Sequence, residues 1–123
     1  MSNARASAPL RVAAAAEPIA VRSDWDPAGG LPPGQEAELR ASALVLEAEQ
    51  RLCFVSCDTM VVPADVLDAA ARTISRELGI PPDRLLICAT HTHHAPCTID
   101  LLGCRREAEF CDRLQTAIVV AAT

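Results

Sequence analysis

Between residues 42 and 89 the spacing of apolar positions changes twice, and each change marks an element. Residues 42–46 and 52–57 are short β-rich apolar runs separated by Glu47-Ala48-Glu49-Gln50-Arg51. Two such runs around a short polar break predict a β-hairpin with a four- or five-residue connection. The run 52–57 is nearly all apolar, which predicts a strand covered on both faces. Pro63 then opens a helix, where its missing N–H costs nothing. Leu67, Ala70, Ala71, Ile74 and Leu78 fall on one face of that helix. Gly79 ends it, and Pro81-Pro82 prevents continuation. Residues 84–89 read as a second continuous apolar strand. Residues 104–122 read as a second amphipathic helix burying Ala108, Cys111, Leu114, Ile118 and Ala122. Upstream, 10–21 suits an edge strand or extended arm, and 23–35, with three Pro and three Gly, suits a loop.

This order predicts an α/β fold: a β-hairpin, a right-handed βαβ unit and a further helix, forming a mixed sheet with helices packed on it. The chain of 123 residues is enough for one modest domain. It divides into a disordered or tag-like tail over 1–9, which includes Ser2-Asn3-Ala4, and a single α/β domain over 10–123. With one Trp, two Phe and no Tyr, the core must be aliphatic.

Charge narrows the partners. All the basic residues are Arg and the net charge is −5, which argues against nucleic acid or an anionic membrane. The apolar runs are too short for a transmembrane segment. Arg11 interrupts the only stretch that resembles a secretory leader, so the reading leans cytoplasmic. No Cys-x-x-Cys occurs among the six cysteines, which speaks against a zinc ribbon or thioredoxin-type centre. Cys53, Cys57 and Cys88 lie in apolar strand sequence and are read as small, buried, reduced residues. The acidic group Glu36, Glu38, Glu47 and Glu49 is most simply a solvated surface.

Candidate chemistry gathers at the carboxyl ends of the two predicted parallel strands, where open α/β sheets bind ligands. Asp58 follows the first, and His91, His93 and His94, the only histidines, follow the second. In extended backbone His91 and His93 point the same way and His94 points away. Two imidazoles projecting together make half a shell for a metal such as zinc. Asp58 could be a third ligand, a carboxylate that fixes an imidazole tautomer, or a cap for the following segment. A merely polar loop and a Cys97–His nucleophile are the competing readings of this stretch. Cys104 and Cys111 at a spacing of seven suggest helix packing rather than a ligand set.

The same residues carry a family resemblance. Leu85-Leu86-Ile87-Cys88-Ala89-Thr90-His91-Thr92-His93-His94-Ala95-Pro96 resembles the Thr-His-Thr-His-Ser-Gly-Pro signature of the neutral/alkaline, non-lysosomal ceramidases. Arg40-Ala41-Ser42-Ala43-Leu44-Val45-Leu46-Glu47, Phe54-Val55-Ser56-Cys57-Asp58 and Gly79-Ile80-Pro81-Pro82-Asp83-Arg84-Leu85-Leu86 are similar to the segments that precede it, in the same order. The likeness spans roughly 40–96. It implies the N-terminal part of a catalytic domain in which zinc activates water to cleave a linear amide, ceramide in the family. By that resemblance His91 is a zinc ligand, and His93 lies beside the metal and close to the reaction. The implied partner is a lipid amide or another small molecule; a homo-oligomer is left open.

There are departures. His94 and Ala95 stand where the family has Ser and Gly, and the Asp-Ile-Thr-Pro element is not evident around Glu17-Pro18-Ile19. The resemblance places the remaining ligands, a further His, a Glu and a Tyr, in later sequence. This chain has no Tyr and no fourth His. It therefore looks like a fragment or shortened relative, expected to be inactive alone. A non-catalytic α/β module, or a small metal-binding protein whose site is completed by Asp58, Cys97 or a second chain, are the alternatives.

Overall fold

Strands and helices follow one another as β1 (Arg11–Pro18), β2 (Arg40–Glu47), β3 (Arg51–Cys57), α1 (Ala64–Leu78), β4 (Leu85–Ala89) and α2 (Ala108–Ala122). A computed structural model describes residues 7–22, 24–25 and 37–123. The expected tail over 1–9 and loop over 23–35 therefore lie largely outside the described residues. The sheet order is β1-β2-β3-β4, with antiparallel pairs β1/β2 and β2/β3 and a parallel pair β3/β4 bridged by α1. This is the predicted α/β topology. The arm at 10–21 contains the edge strand.

Both helices lie on one face of the sheet: α2 packs across β1, β2 and β3, while α1 packs on α2 and β4. The core between these layers is built from Ala41, Ala43, Cys53, Val55 and Cys57 of the sheet and Ile74, Phe110, Leu114 and Ile118 of the helices. The expectation that the strands are covered on both faces is corrected. Leu44, Phe54 and Leu86 are 37%, 39% and 53% exposed. A single crossover places α1 on one side only, and α2 joins it there. Cys88 is accordingly exposed and not buried, because it shares its pleat phase with Leu86, whereas Cys53 is buried as expected.

In α1 the buried face is Val66, Ala70 and Ile74, with Leu67, Ala71 and Leu78 at its margin. The predicted stripe is thus turned by about one position. Gly79 caps the helix at φ 64°, a left-handed conformation that glycine adopts without a Cβ penalty. The second helix is shorter than predicted, and its face also differs. Leu102 (φ 49°) and Gly103 (φ 85°) make a tight turn closed by reciprocal Leu101–Cys104 backbone hydrogen bonds, so Cys104 lies outside α2. Ala108 is exposed, and Phe110, Cys111, Leu114, Ala117, Ile118, Ala121 and Ala122 are buried. Of the acidic group, Glu38 is exposed, while Glu47 is half-buried and paired with Arg51.

Candidate functional site

The parallel β3/β4 pair delivers two loops to one edge of the sheet. Past Cys57 and Ala89 the loops remain tied: Thr90 N–H donates to the Cys57 carbonyl (2.9 Å) and His91 N–H to the Thr59 carbonyl (3.0 Å). The buried Thr98 hydroxyl donates to the Val61 carbonyl at 2.6 Å, extending the clamp. His91 is thus held by backbone contacts from a different strand's loop.

The two imidazoles do meet. His91 Nε2 and His93 Nε2 are 3.3 Å apart, with ring centroids 4.9 Å apart and planes at 83°. The reason differs from the expected one. His91 has φ 68°, so the backbone is not extended there and strand alternation does not set the direction. His91 Nδ1 lies 2.8 Å from the Met60 carbonyl oxygen. A carbonyl can only accept, so Nδ1 carries the proton and Nε2 presents its lone pair toward His93. Met60 is the contributor that sequence reading missed; a backbone carbonyl leaves no residue-type signal. The His94 N–H turns to the Thr92 hydroxyl oxygen (3.2 Å).

Asp58 is engaged elsewhere. Its Oδ2 accepts the Arg40 N–H at 3.0 Å, while its own N–H donates to the Arg40 carbonyl at 2.9 Å. This pairing fastens the start of β2 to the end of β3, and does not cap the segment that follows Asp58. Among the described residues no group of three His, Cys, Asp or Glu stands ready to hold a metal ion. Cys97 is 2% exposed, where a nucleophile meets no substrate. Two surface hollows, one between β1 and α2 (Glu17, Glu109, Arg113) and one at the 100–105 turn, contain neither His91 nor His93.

The pair's geometry fits a metal. Two imidazole nitrogens bound to tetrahedral zinc at about 2.0–2.1 Å stand roughly 3.3–3.4 Å apart. The observed separation of 3.3 Å matches that spacing.

The fold is similar to part of two solved structures. A ceramidase structure described as complexed with C2, and a neutral ceramidase from Pseudomonas aeruginosa, each match at a TM-score of 0.73 over 93% of this chain with 20% identity. The chain spans about a fifth of those structures, 20% and 21% respectively. No family model matches the sequence, and no curated protein does either.

Proposed function

We propose that this chain forms part of the catalytic region of a zinc-dependent amide hydrolase of the neutral ceramidase type, with His91 and His93 as half of its metal site. The observation that carries this reading is the 3.3 Å imidazole pair, its tautomer held by the Met60 carbonyl, at the sheet edge of a ceramidase-like fold. Bound zinc would lower the pKa of water at the site and polarise an amide carbonyl. The chain's own part is to present both Nε2 atoms: Met60 fixes the His91 ring, and Asp58 secures the loop behind it through Arg40. Both histidines are exposed, so a lipid amide or other linear amide can approach from solvent. No helix among the described residues is long and apolar enough to cross a membrane.

Two nitrogen donors make an incomplete catalytic site, which normally needs about three protein ligands. The 123-residue chain should therefore bind zinc weakly, lose it readily to chelator, and hydrolyse no fluorogenic ceramide. Zinc titration of the wild type, His91→Ala and His93→Ala tests the reading. Uptake that either substitution abolishes supports it. Uptake indifferent to both, or no uptake by the wild type, rejects it. Zinc-dependent turnover lost in His91→Ala would put the completing ligand inside this chain.

A further inference from the structure

The connection from β3 to α1 offers its carbonyls, one after another, to the loop that follows β4. Thr59 accepts the His91 N–H at 3.0 Å, Met60 accepts from His91 Nδ1 at 2.8 Å, and Val61 accepts from the Thr98 hydroxyl at 2.6 Å. The first two bonds come from His91 itself. A ring cannot fix its own direction by leaning on a carbonyl that only it holds. The bond to Val61 is the one that pins this backbone from elsewhere, and Thr98 supplies it.

Thr98 is built for that task. It is fully buried, and 2.6 Å is at the short end for a hydroxyl–carbonyl bond. The Thr59 hydroxyl also faces the Val61 carbonyl, but from 3.5 Å, too far to replace it. On its other side the Thr98 carbonyl faces the Cys111 thiol of α2 at 3.8 Å. The adjacent Cys97 carbonyl accepts the N–H of Glu107, which opens α2, at 2.8 Å. Thr98 is thus moored to the second helix while its hydroxyl holds the segment that leads into the first.

We infer that Thr98 is a positioning residue for the imidazole pair. With the Thr59 and Val61 carbonyls anchored on either side, the Met60 peptide has little room to turn. Its carbonyl then keeps the His91 proton on Nδ1 and leaves Nε2 as the lone-pair donor. A threonine that merely satisfied the Val61 carbonyl would cost stability when replaced and leave the His91 proton where it is. The consequence for zinc rests on the metal reading proposed above; the place of the proton does not.

Nitrogen NMR of the isotopically labelled, metal-free chain at mildly alkaline pH, where imidazoles are neutral, reads the His91 tautomer directly, and zinc titration follows. In the wild type the proton should sit on Nδ1, against the preference of free imidazole for Nε2. Thr98→Val should shift the His91 signals toward the Nε2–H form. It should also weaken zinc uptake by about tenfold, the lower end for losing an outer partner of a ligating histidine. Thr98→Ser, which restores the hydroxyl, should return both to the wild-type values. Ile74→Val, fully buried toward the far end of α1, trims the core and should move neither. If the valine methyl prevents folding, Thr98→Ala, which crowds nothing, takes its place. An unchanged His91 proton in the valine or alanine variant, an equal shift in Ile74→Val, or a serine variant that restores nothing overturns the role. If the wild type takes up no zinc, the metal reading falls, and the nitrogen signals alone still decide the role of Thr98.

Discussion

The two faces of the sheet are made by the same strands and differ in an unexpected direction. On the helix-covered face β2 presents Ala41 and Ala43; on the bare face it presents Leu44 and half-buried Leu46. On β3, Cys53, Val55 and Cys57 are buried, whereas the larger Leu52 and Phe54 keep more than a third of their surface exposed. The small residues let α2 settle close to the sheet, and bulk is then supplied from the helix side by Phe110, Leu114 and Ile118. Apolar strand sequence thus shows that neither face is suited to water. Only the helices decide which face the chain itself covers.

The largest effect that distinguishes the faces should come from Phe110. It is fully buried and meets Trp25 edge-on, with centroids 5.8 Å apart and planes at 75°. The guanidinium groups of Arg22 and Arg113 lie over the same indole at 5.8 and 5.1 Å. Phe110→Ala should lower stability by about 3–5 kcal/mol. Phe54→Ala should cost about 1 kcal/mol or less, since its ring already meets solvent. Urea unfolding of both at low protein concentration makes the comparison. Equal losses would mean that the bare face is as tightly packed as the covered one.

A second contrast uses one atom type on both faces. Burial, aided by the neighbouring Cys88 and Asp58, pushes the Cys57 thiol up to about 12. Cys88 lies on the open face. At mildly alkaline pH, Cys88 should react with maleimide quickly and Cys57 only on unfolding. The sign for stability follows. The unfolded thiol ionises near its ordinary value of about 8.5, while the folded one stays protonated until about 12. Stability should therefore decline as pH rises through that window. Cys57→Ala should flatten the alkaline slope, and an unchanged slope would show that the buried thiol is not its source.

Local signals wrote most of the fold. The polar break at 47–51, the proline at 63, Gly79 and the apolar runs each specify a turn, a helix end or a strand without reference to the rest of the chain. What stayed hidden was non-local. Cys53 and Cys88 look alike in sequence, and only the register Ser56↔Cys88 puts the latter on the uncovered side. Trp25 belongs to a Pro/Gly-rich stretch that reads as loop, yet it is 7% exposed against Phe110. At the candidate site the two histidines were legible as a pair. The positive φ at His91 and the Met60 carbonyl that sets its tautomer were not, because neither depends on a side-chain pattern. Asp58 was legible as a residue of that edge, but its commitment to the Arg40 amide could be known only from the strand ends it joins.

The smallest effect should lie at the rim of the covered face, where Arg106 grips Asp65 through two hydrogen bonds of 2.9 and 2.5 Å. Arg106 also donates its backbone N–H to Asp100 at 2.8 Å, so the contact fastens the segment before α2 to the first turn of α1. Asp65 there also faces the positive end of the helix dipole. The hydrogen bond from Arg106 holds the Asp65 carboxyl below its ordinary value. A depressed carboxyl stabilises the fold above its unfolded value of about 3.9, and that contribution is lost as pH falls through the lower folded value. Both side chains are partly open to solvent, so screening keeps the contribution small. Asp65→Asn should therefore lower the thermal midpoint slightly near neutral pH and hardly at all once the wild-type carboxyl is protonated. High salt should shrink the neutral-pH difference. A loss that persists undiminished in acid would mean that Asp65 acts through packing. A loss rivalling that of Phe110→Ala would move the boundary of the covered layer outward to include this pair.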